Sequence, residues 1–363
     1  MQNVVAHFDI NSTRYLDAAG KLTQPLPVGM DKAALTALYR ALVRTRTFDA
    51  KAVALQRTGR LGTYASSIGQ EAVSVGAASA MRADDILVPS FREHGGQLWR
   101  GATPTELFLY WGGDERGNYF AKAPHDFPNC VPVGSHAPHA AGVALALKLR
   151  KEARAVVCIF GDGATSKGDV YEAMNFAGTW QLPVVFVISN NQWAISVPLK
   201  LQTATQALAQ KAISAGIVGE QVDGNDVVAV HAVVDAALAR ARKSEGPSVI
   251  EAVTYRLGDH TTADDASRYR KDADVTPHWQ EEPIRRLSQY LAGAGFWTKT
   301  DEDALLKQVN AEIDAAADAY LATPAPDPSV MFDYTYAQLP ADLLAQKQSV
   351  LASSPTSMRQ AAE

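Results

Sequence analysis

The sequence predicts an α/β fold in which a mostly parallel sheet is flanked by helices. Three observations predict it. Ala155-Val156-Val157-Cys158-Ile159-Phe160 and Val184-Val185-Phe186-Val187-Ile188 are continuous apolar runs of strand length, as strands buried on both faces require. Between them, Asp169 to Trp180 carries Val170, Met174, Phe176 and Ala177 at helical intervals, and Leu182-Pro183 ends the segment. A crossover of this kind is right-handed and lays its two strands parallel.

The remaining elements follow in chain order. Residues 1 to 30, with Pro25 and Pro27, read as an irregular lead-in to a main α/β domain over residues 31 to 340, and residues 341 to 363 read as a C-terminal tail. Asp31 caps an Ala/Leu-rich helical stretch reaching about Arg57, because an Asp side chain satisfies the free amides of a first turn. Ile86-Leu87-Val88 is a further strand. A second capped helix, Asp226 to Lys243, precedes a strand from Ser248 to Tyr255 and repeats the alternation of helix and strand. After Pro277 the chain turns helical, notably from Asp301 to Leu321, and breaks at Thr323-Pro324-Ala325-Pro326. Residues 353 to 363 are polar without periodicity, which predicts disorder.

Composition narrows the class. At 363 residues and 47% hydrophobic, the chain can bury a large core, and its length permits one large or two modest domains. A net charge of −5 without a long basic stripe argues against nucleic acid as a partner. Two cysteines, Cys130 and Cys158, cannot build a disulfide framework, and both are expected to be reduced and structural. No apolar run approaches the roughly 20 residues that span a membrane. Met1 to Tyr15 lacks the apolar core of a signal peptide, so a cytoplasmic protein is expected.

The chemistry is concentrated at the ends of the first two strands, in Gly161-Asp162-Gly163 and Asn190-Asn191. Asp162 alone would serve as a helix cap, and Asn190-Asn191 alone as a turn. In parallel strands joined by one crossover, however, both patterns fall on the same carboxyl-terminal sheet edge, where open α/β sheets bind ligands. A carboxylate, an amide oxygen and a nearby backbone carbonyl are hard donors suited to Mg²⁺, whose remaining positions are filled by water and phosphate oxygens. Gly163 and Ala164 lead toward a helix start, where free backbone N–H groups favour a diphosphate. Arg92 lies just beyond the strand Ile86-Leu87-Val88, and His260 lies just past the run ending at Tyr255. Arginine offers a planar fork to phosphate oxygens, and histidine can donate to a phosphate or a developing intermediate near neutral pH.

With these residues in place, the chain resembles the alpha subunit of thiamine diphosphate-dependent 2-oxoacid dehydrogenases, the decarboxylating first component that acts on pyruvate or a branched-chain 2-oxoacid. The segments that carry the resemblance are Gly161-Asp162-Gly163-Ala164-Thr165-Ser166-Lys167-Gly168-Asp169, Asn175-Phe176-Ala177 and Asn190-Asn191-Gln192-Trp193-Ala194-Ile195-Ser196. Others agree in order: Gly59-Arg60-Leu61-Gly62, Gly69-Gln70-Glu71-Ala72, Phe91-Arg92-Glu93-His94-Gly95, Gly258-Asp259-His260-Thr261 and Arg268-Tyr269-Arg270. Together they cover about residues 30 to 340.

The resemblance implies a thiamine diphosphate-binding fold of the diphosphate-binding type, with Mg²⁺ held by Asp162, Asn191 and the backbone carbonyl of Trp193. It implies that Arg92, His260 and the backbone of Gly163 and Ala164 face the diphosphate, with Phe91 and Ile195 close by and the backbone near Val133 at the aminopyrimidine. His260 is the residue implied to be catalytic. In branched-chain members the position of Ser189 is an arginine reaching the diphosphate, a charge that serine cannot supply. The activating glutamate of that family belongs to a separate beta subunit, so neither Glu71 nor Glu93 is expected to activate the cofactor ring, and the chain is expected to be inactive alone. The implied partners are a beta subunit in an alpha-two-beta-two heterotetramer, a lipoyl-bearing acyltransferase and a small 2-oxoacid, for which pyruvate is the first reading.

Three alternatives remain open. A branched-chain 2-oxoacid is the nearest. A non-catalytic scaffold of the same fold is another, against which the intact metal-ligand positions weigh. A nucleotide-binding oxidoreductase is the third, but no strand here is followed by Gly-x-Gly-x-x-Gly.

Overall fold

Residues 2–333 and 335–352 are described by the structure, a computed structural model. In chain order the main elements are β1 (Ser12–Thr13), α1 (Lys32–Arg57), α2 (Glu71–Ser79), β2 (Ile86–Val88), α3 (His94–Arg100), α4 (Pro104–Trp111), α5 (His136–Leu149), β3 (Val156–Gly161), α6 (Gly168–Thr179) and β4 (Val184–Asn190). They continue as β5 (Trp193–Ala194), β6 (Val197–Pro198), α7 (Lys211–Ser214), β7 (Val218–Asp223), α8 (Val227–Arg242), β8 (Ser248–Val253), α9 (Asp272–Val275), α10 (Pro283–Gly293), α11 (Lys299–Ala322) and α12 (Ala341–Ala352).

Six strands form one sheet in the order β1-β7-β8-β4-β3-β2, and every neighbouring pair is parallel. The apolar runs alternate their side chains between two cores, as pleating demands. Val156, Cys158 and Phe160 with Val184, Phe186 and Ile188 pack toward Ala140, Ala144, Val170 and Met174 of α5 and α6. Val157 and Ile159 with Val185 and Val187 pack toward Val73 and Ala77 of α2 and Val230, Val234 and Leu238 of α8. Burial on both faces is what makes these strands read as unbroken apolar sequence. Helix α2 can lie tight against α8 because a Cβ on Gly76 would meet Val230 Cβ at 2.7 Å.

The helix starts expected from the sequence are capped as anticipated. Asp31 accepts from the Ala34 amide at 2.9 Å. Asp226 accepts from Val228 and Ala229 through one oxygen and, through the other, from the amides of Tyr15 and Leu16 at 2.7 Å each. That second contact fastens the amino-terminal segment to the start of α8. The lead-in, expected to be irregular, therefore contributes β1, whose Ser12 and Thr13 register with Gln221 and Val222 of β7.

The described chain divides into two compact units, residues up to 320 and residues from 321. In the first, α11 buries Leu305, Val309, Ile313 and Ala317 along one stripe and Arg44 of α1 meets Glu312 at 2.5 Å. In the second, α12 accompanies a short turn over Pro328–Phe332, and Lys347 meets Asp333 at 2.5 Å. Residues 353 to 363, expected to be disordered, lie outside the described residues. Among the described residues no helix is long and apolar enough to cross a membrane, and Cys130 and Cys158 are both free.

Candidate functional site

The carboxyl-terminal edge of the sheet carries a cavity of about 190 Å³. Phe91, Arg92, Val133, Asp162, Gly163, Ala164, Asn191, Trp193, Ile195 and His260 all line it. Every residue proposed from the sequence thus reaches one wall. The parallel register explains the convergence, since Gly161 pairs with Ser189 and Asn190 with Val253, so the chains leaving β3, β4 and β8 emerge side by side. A larger cleft of about 890 Å³ beyond β7 and β8 shares only Trp193 with that set. Its buried arginine, Arg286, is already paired with Asp223 at 2.6 Å, so its charge is spent within the protein.

After β3 the chain turns at once through Asp162–Ser166, held by Thr165 Oγ1 donating to the Asp162 carbonyl at 2.7 Å. Asp162 is 1% exposed, and burial raises its carboxyl above the usual range. Gln202 Nε2 donates to its Oδ2 at 2.8 Å. No lysine or arginine forms an ion pair with Asp162 among the described residues, so a cation would relieve its burial. A Cβ on Gly163 would stand 2.7 Å from Ala194 Cβ, which lets only glycine bring its backbone this close to the facing hairpin.

After β4, Asn190 Nδ2 donates to buried Glu251 at 2.6 Å, and Asn191 Nδ2 donates to Gln70 Oε1 at 2.9 Å. The next residues fold into the hairpin β5–β6, in which Gln192 and Ile195 take left-handed φ values of 71° and 56°. For a β-branched residue such as Ile195 this is strained backbone, of the sort that clusters at functional sites. Arg256 Nη2 holds it by donating to the Ile195 carbonyl at 2.8 Å.

Opposite this turn stand Arg92 and His260. Arg92 Nη1 donates to the Ser66 carbonyl at 2.7 Å, while Nη2 donates to the His260 carbonyl at 2.6 Å and to its Nδ1 at 2.8 Å. An arginine has only donors, so Nδ1 accepts and the ring proton sits on Nε2. Burial, with Arg92 and Arg256 nearby, lowers His260 to about 4, which keeps the ring neutral at pH 7. Burial, followed by Arg256, lowers Arg92 to about 10. Two guanidiniums and an imidazole crowded this closely form a site that an anion would stabilise. Phe91 meets the His260 ring edge-on, with centroids 6.1 Å apart.

The set therefore fits both groups suggested by the sequence. Among the described residues no group of three or more His, Cys, Asp or Glu is arranged to hold a metal ion. A site with one carboxylate, an amide oxygen and a backbone carbonyl is instead the kind that suits Mg²⁺ with phosphate. The cavity is smaller than the roughly 300–1,000 Å³ of a complete small-molecule site. Val133 and Ile195 at its rim are 47% and 55% exposed. One wall of a larger site would look like this.

Several residues at the site escaped the sequence reading. Gln70 lines the cavity, as does Glu93, which the sequence presents only as a carboxylate not expected to activate the cofactor ring; burial raises the Glu93 carboxyl to about 7. Glu71 does not line it and is paired with Arg46. Arg256 is 1% exposed and reaches the Ile195 turn from behind. Its signal was its place one residue beyond the apolar run that ends at Tyr255. Gln202 had none, because it comes from an irregular loop. Ser189 lines the cavity with no charge of its own, and the positive groups are Arg92 at the wall and Arg256 behind it.

A family model described as the dehydrogenase E1 component matches residues 39–329. The chain is 44% identical over 319 residues to a 3-methyl-2-oxobutanoate dehydrogenase subunit alpha of Mycobacterium tuberculosis, covering 87% of this chain and 86% of the relative. It is 38% identical over 336 residues to a pyruvate dehydrogenase E1 component subunit alpha of Acholeplasma laidlawii, covering 91% and 96%. A subunit of the same description in Staphylococcus epidermidis is 38% identical over 314 residues, covering 86% and 85%.

Proposed function

Because this chain belongs to the dehydrogenase E1 component family, as the alpha subunit of a 2-oxoacid dehydrogenase, we propose that its sheet-edge cavity is the diphosphate half of a thiamine diphosphate site completed by a beta subunit. The observation that carries the reading is the convergence of Asp162, Asn191, Arg92 and His260 on one cavity. Asp162, Asn191 and the Trp193 carbonyl would hold Mg²⁺. Arg92, His260 and the backbone of Gly163 and Ala164 would hold the diphosphate, with Phe91, Val133 and Ile195 along the rest of the cofactor.

Thiamine diphosphate, when bound, supplies the carbon nucleophile that attacks a 2-oxo group and the ring that takes up the electrons released with carbon dioxide. The chain's own residues supply the setting. Arg92 fixes the His260 ring with Nε2–H free to donate, so His260 can give a hydrogen bond to the reacting oxygen while staying neutral. Asp162 and Asn191 anchor the far end of the cofactor so that its reactive end is held in one place. Burial of Arg92 and Asp162 keeps water from competing for those contacts.

The exposed Val133 and Ile195 at the rim support a facing subunit, and the complex we propose is an alpha-two-beta-two heterotetramer that passes its acyl group to a lipoyl arm on an acyltransferase. Two substrates are supported by different observations. The run from Gly161 to Ser196 and the Asp259-His260-Thr261 loop, which resemble those of pyruvate-using members, together with the 38% identity to the A. laidlawii relative, favour pyruvate. The 44% identity with the M. tuberculosis relative favours a branched 2-oxoacid. A pocket difference of one or two methylenes is worth only about 1–3 kcal/mol, and part of that pocket belongs to the beta chain. Reconstitution with the beta subunit and a rate comparison on pyruvate, 2-oxobutyrate and 3-methyl-2-oxobutanoate separates them. No 2-oxoacid decarboxylation by any reconstituted complex that binds the cofactor would leave the non-catalytic scaffold instead.

A further inference from the structure

Gln70, the residue before α2, is 4% exposed and lines the cavity beside Asn191. Its Oε1 accepts from Asn191 Nδ2 at 2.9 Å and from Ser189 Oγ at 3.3 Å. Its Nε2 is buried and meets no hydrogen-bond partner.

The orientation of both amides is set by the backbone. The Trp193 N–H donates to Asn191 Oδ1 at 3.1 Å, so the Asn191 nitrogen must face Gln70. Gln70 must then meet it with its oxygen, which turns its own nitrogen away from Asn191 with two N–H donors unused. Buried donors without a partner are rare in native proteins and point to an acceptor that the chain does not supply.

We propose that Gln70 is a positioning residue for the cofactor: through Oε1 it holds the Asn191 oxygen on the Trp193 side, and through Nε2 it donates to an oxygen of the bound diphosphate cofactor. This rests on reading Asp162 and Asn191 as the metal end of the site. Partners that orient a metal ligand are expected to matter nearly as much as the ligand itself. The Ser189 hydroxyl, on the same Gln70 oxygen, helps to fix that orientation.

The test is calorimetric titration of Mg²⁺ and thiamine diphosphate into the assembled alpha–beta complex without a 2-oxoacid, so that binding is read without turnover. Gln70→Leu removes both functions, and its Mg²⁺ half-saturation should rise about 10- to 100-fold. Gln70→Glu keeps the acceptor and the shape but replaces the donor with a negative oxygen. Its Mg²⁺ half-saturation should stay near wild type while thiamine diphosphate binding weakens about tenfold or more. Because Gln70→Glu is isosteric, it reports even where Gln70→Leu fails to assemble. Wild-type cofactor affinity in Gln70→Glu, or wild-type values throughout in Gln70→Leu, overturns the proposal. Asp162→Asn is run in parallel: binding lost there while both Gln70 variants bind normally overturns the role of Gln70 alone, whereas normal binding in Asp162→Asn overturns the site reading beneath it.

Discussion

One nitrogen of Arg92, Nη2, donates to both the carbonyl oxygen of His260, at 2.6 Å, and its ring Nδ1, at 2.8 Å. The double contact fixes ring position and tautomer together, leaving Nε2–H as the only donor that a ligand can meet. His260→Ala should therefore assemble normally, hold the cofactor less tightly, and even at saturating cofactor lose about 10²- to 10⁴-fold in acyl transfer to a lipoyl acceptor. Stopped-flow or steady-state rates on the reconstituted complex check this. Full activity removes His260 from the reacting end of the site.

The same crowding makes His260 acid-sensitive. Its folded value of about 4 lies below the ordinary 6.5, so the unfolded chain binds a proton that the folded chain refuses between those pH values. Stability from the neutral ring is fully present above about pH 6.5 and falls away as pH drops toward 4. Thermal melts of wild type and His260→Asn across that window should converge as pH falls. Parallel curves would mean that His260 titrates alike in the two states.

Asp162 shows the opposite sign. Burial raises its carboxyl above the unfolded value, so without a bound cation the protonated form is favoured and the charged form costs stability as pH rises through the folded value. Asp162→Asn should raise the neutral-pH Tm of the unloaded protein and abolish Mg²⁺-dependent cofactor binding in the assembled enzyme. The Tm gain should shrink below the ordinary carboxylate value of about 3.9. A lower Tm at pH 7 would mean that a cationic partner already stabilises Asp162.

How much of this was legible in the sequence depends on burial. β3 and β4 are covered on both faces, and their apolar runs are continuous and easy to read. β7 escaped notice because most of its residues, including Gly219, Glu220 and Gln221, are only half-buried beside a two-residue edge strand, which leaves no alternation to follow. Within the site, residues fixed to strand ends could be placed from register alone. Arg256 and Gln70 act through contacts with Ile195 and Asn191 that only the folded chain creates. Gln202, which donates to Asp162, lies on an irregular loop whose return to the sheet edge has no local signature.

Gly163 tests the close approach of the diphosphate turn to its facing hairpin. A Cβ there would stand 2.7 Å from Ala194 Cβ, so Gly163→Ala must displace the β5 segment that carries the Trp193 carbonyl. Overpacking of this kind costs about 1–3 kcal/mol, and cofactor affinity should fall roughly in proportion, by about tenfold or more. Ala194→Gly removes the opposing methyl, and in the double variant it should restore much of that affinity, with a coupling of about 0.5–3 kcal/mol. Additive losses would place the defect in the Gly163 backbone itself.

Asp49 reaches the site indirectly. It is 3% exposed, and its Oδ1 accepts from Tyr64 Oη at 2.8 Å and from the Ser67 amide at 2.7 Å, while Oδ2 accepts from Ser66 Oγ at 2.6 Å. The Ser66 carbonyl, held by this carboxylate, is the acceptor for Arg92 Nη1. Asp49→Ala leaves several buried donors unpaired at about 1–3 kcal/mol each, so a loss on the order of 3 kcal/mol is expected. Asp49→Asn replaces one acceptor with a donor and should lose less. Both should weaken thiamine diphosphate binding through Arg92, whereas a variant that melts early yet binds the cofactor at wild-type affinity would confine Asp49 to stability, because the Ser66 carbonyl would then hold Arg92 without it.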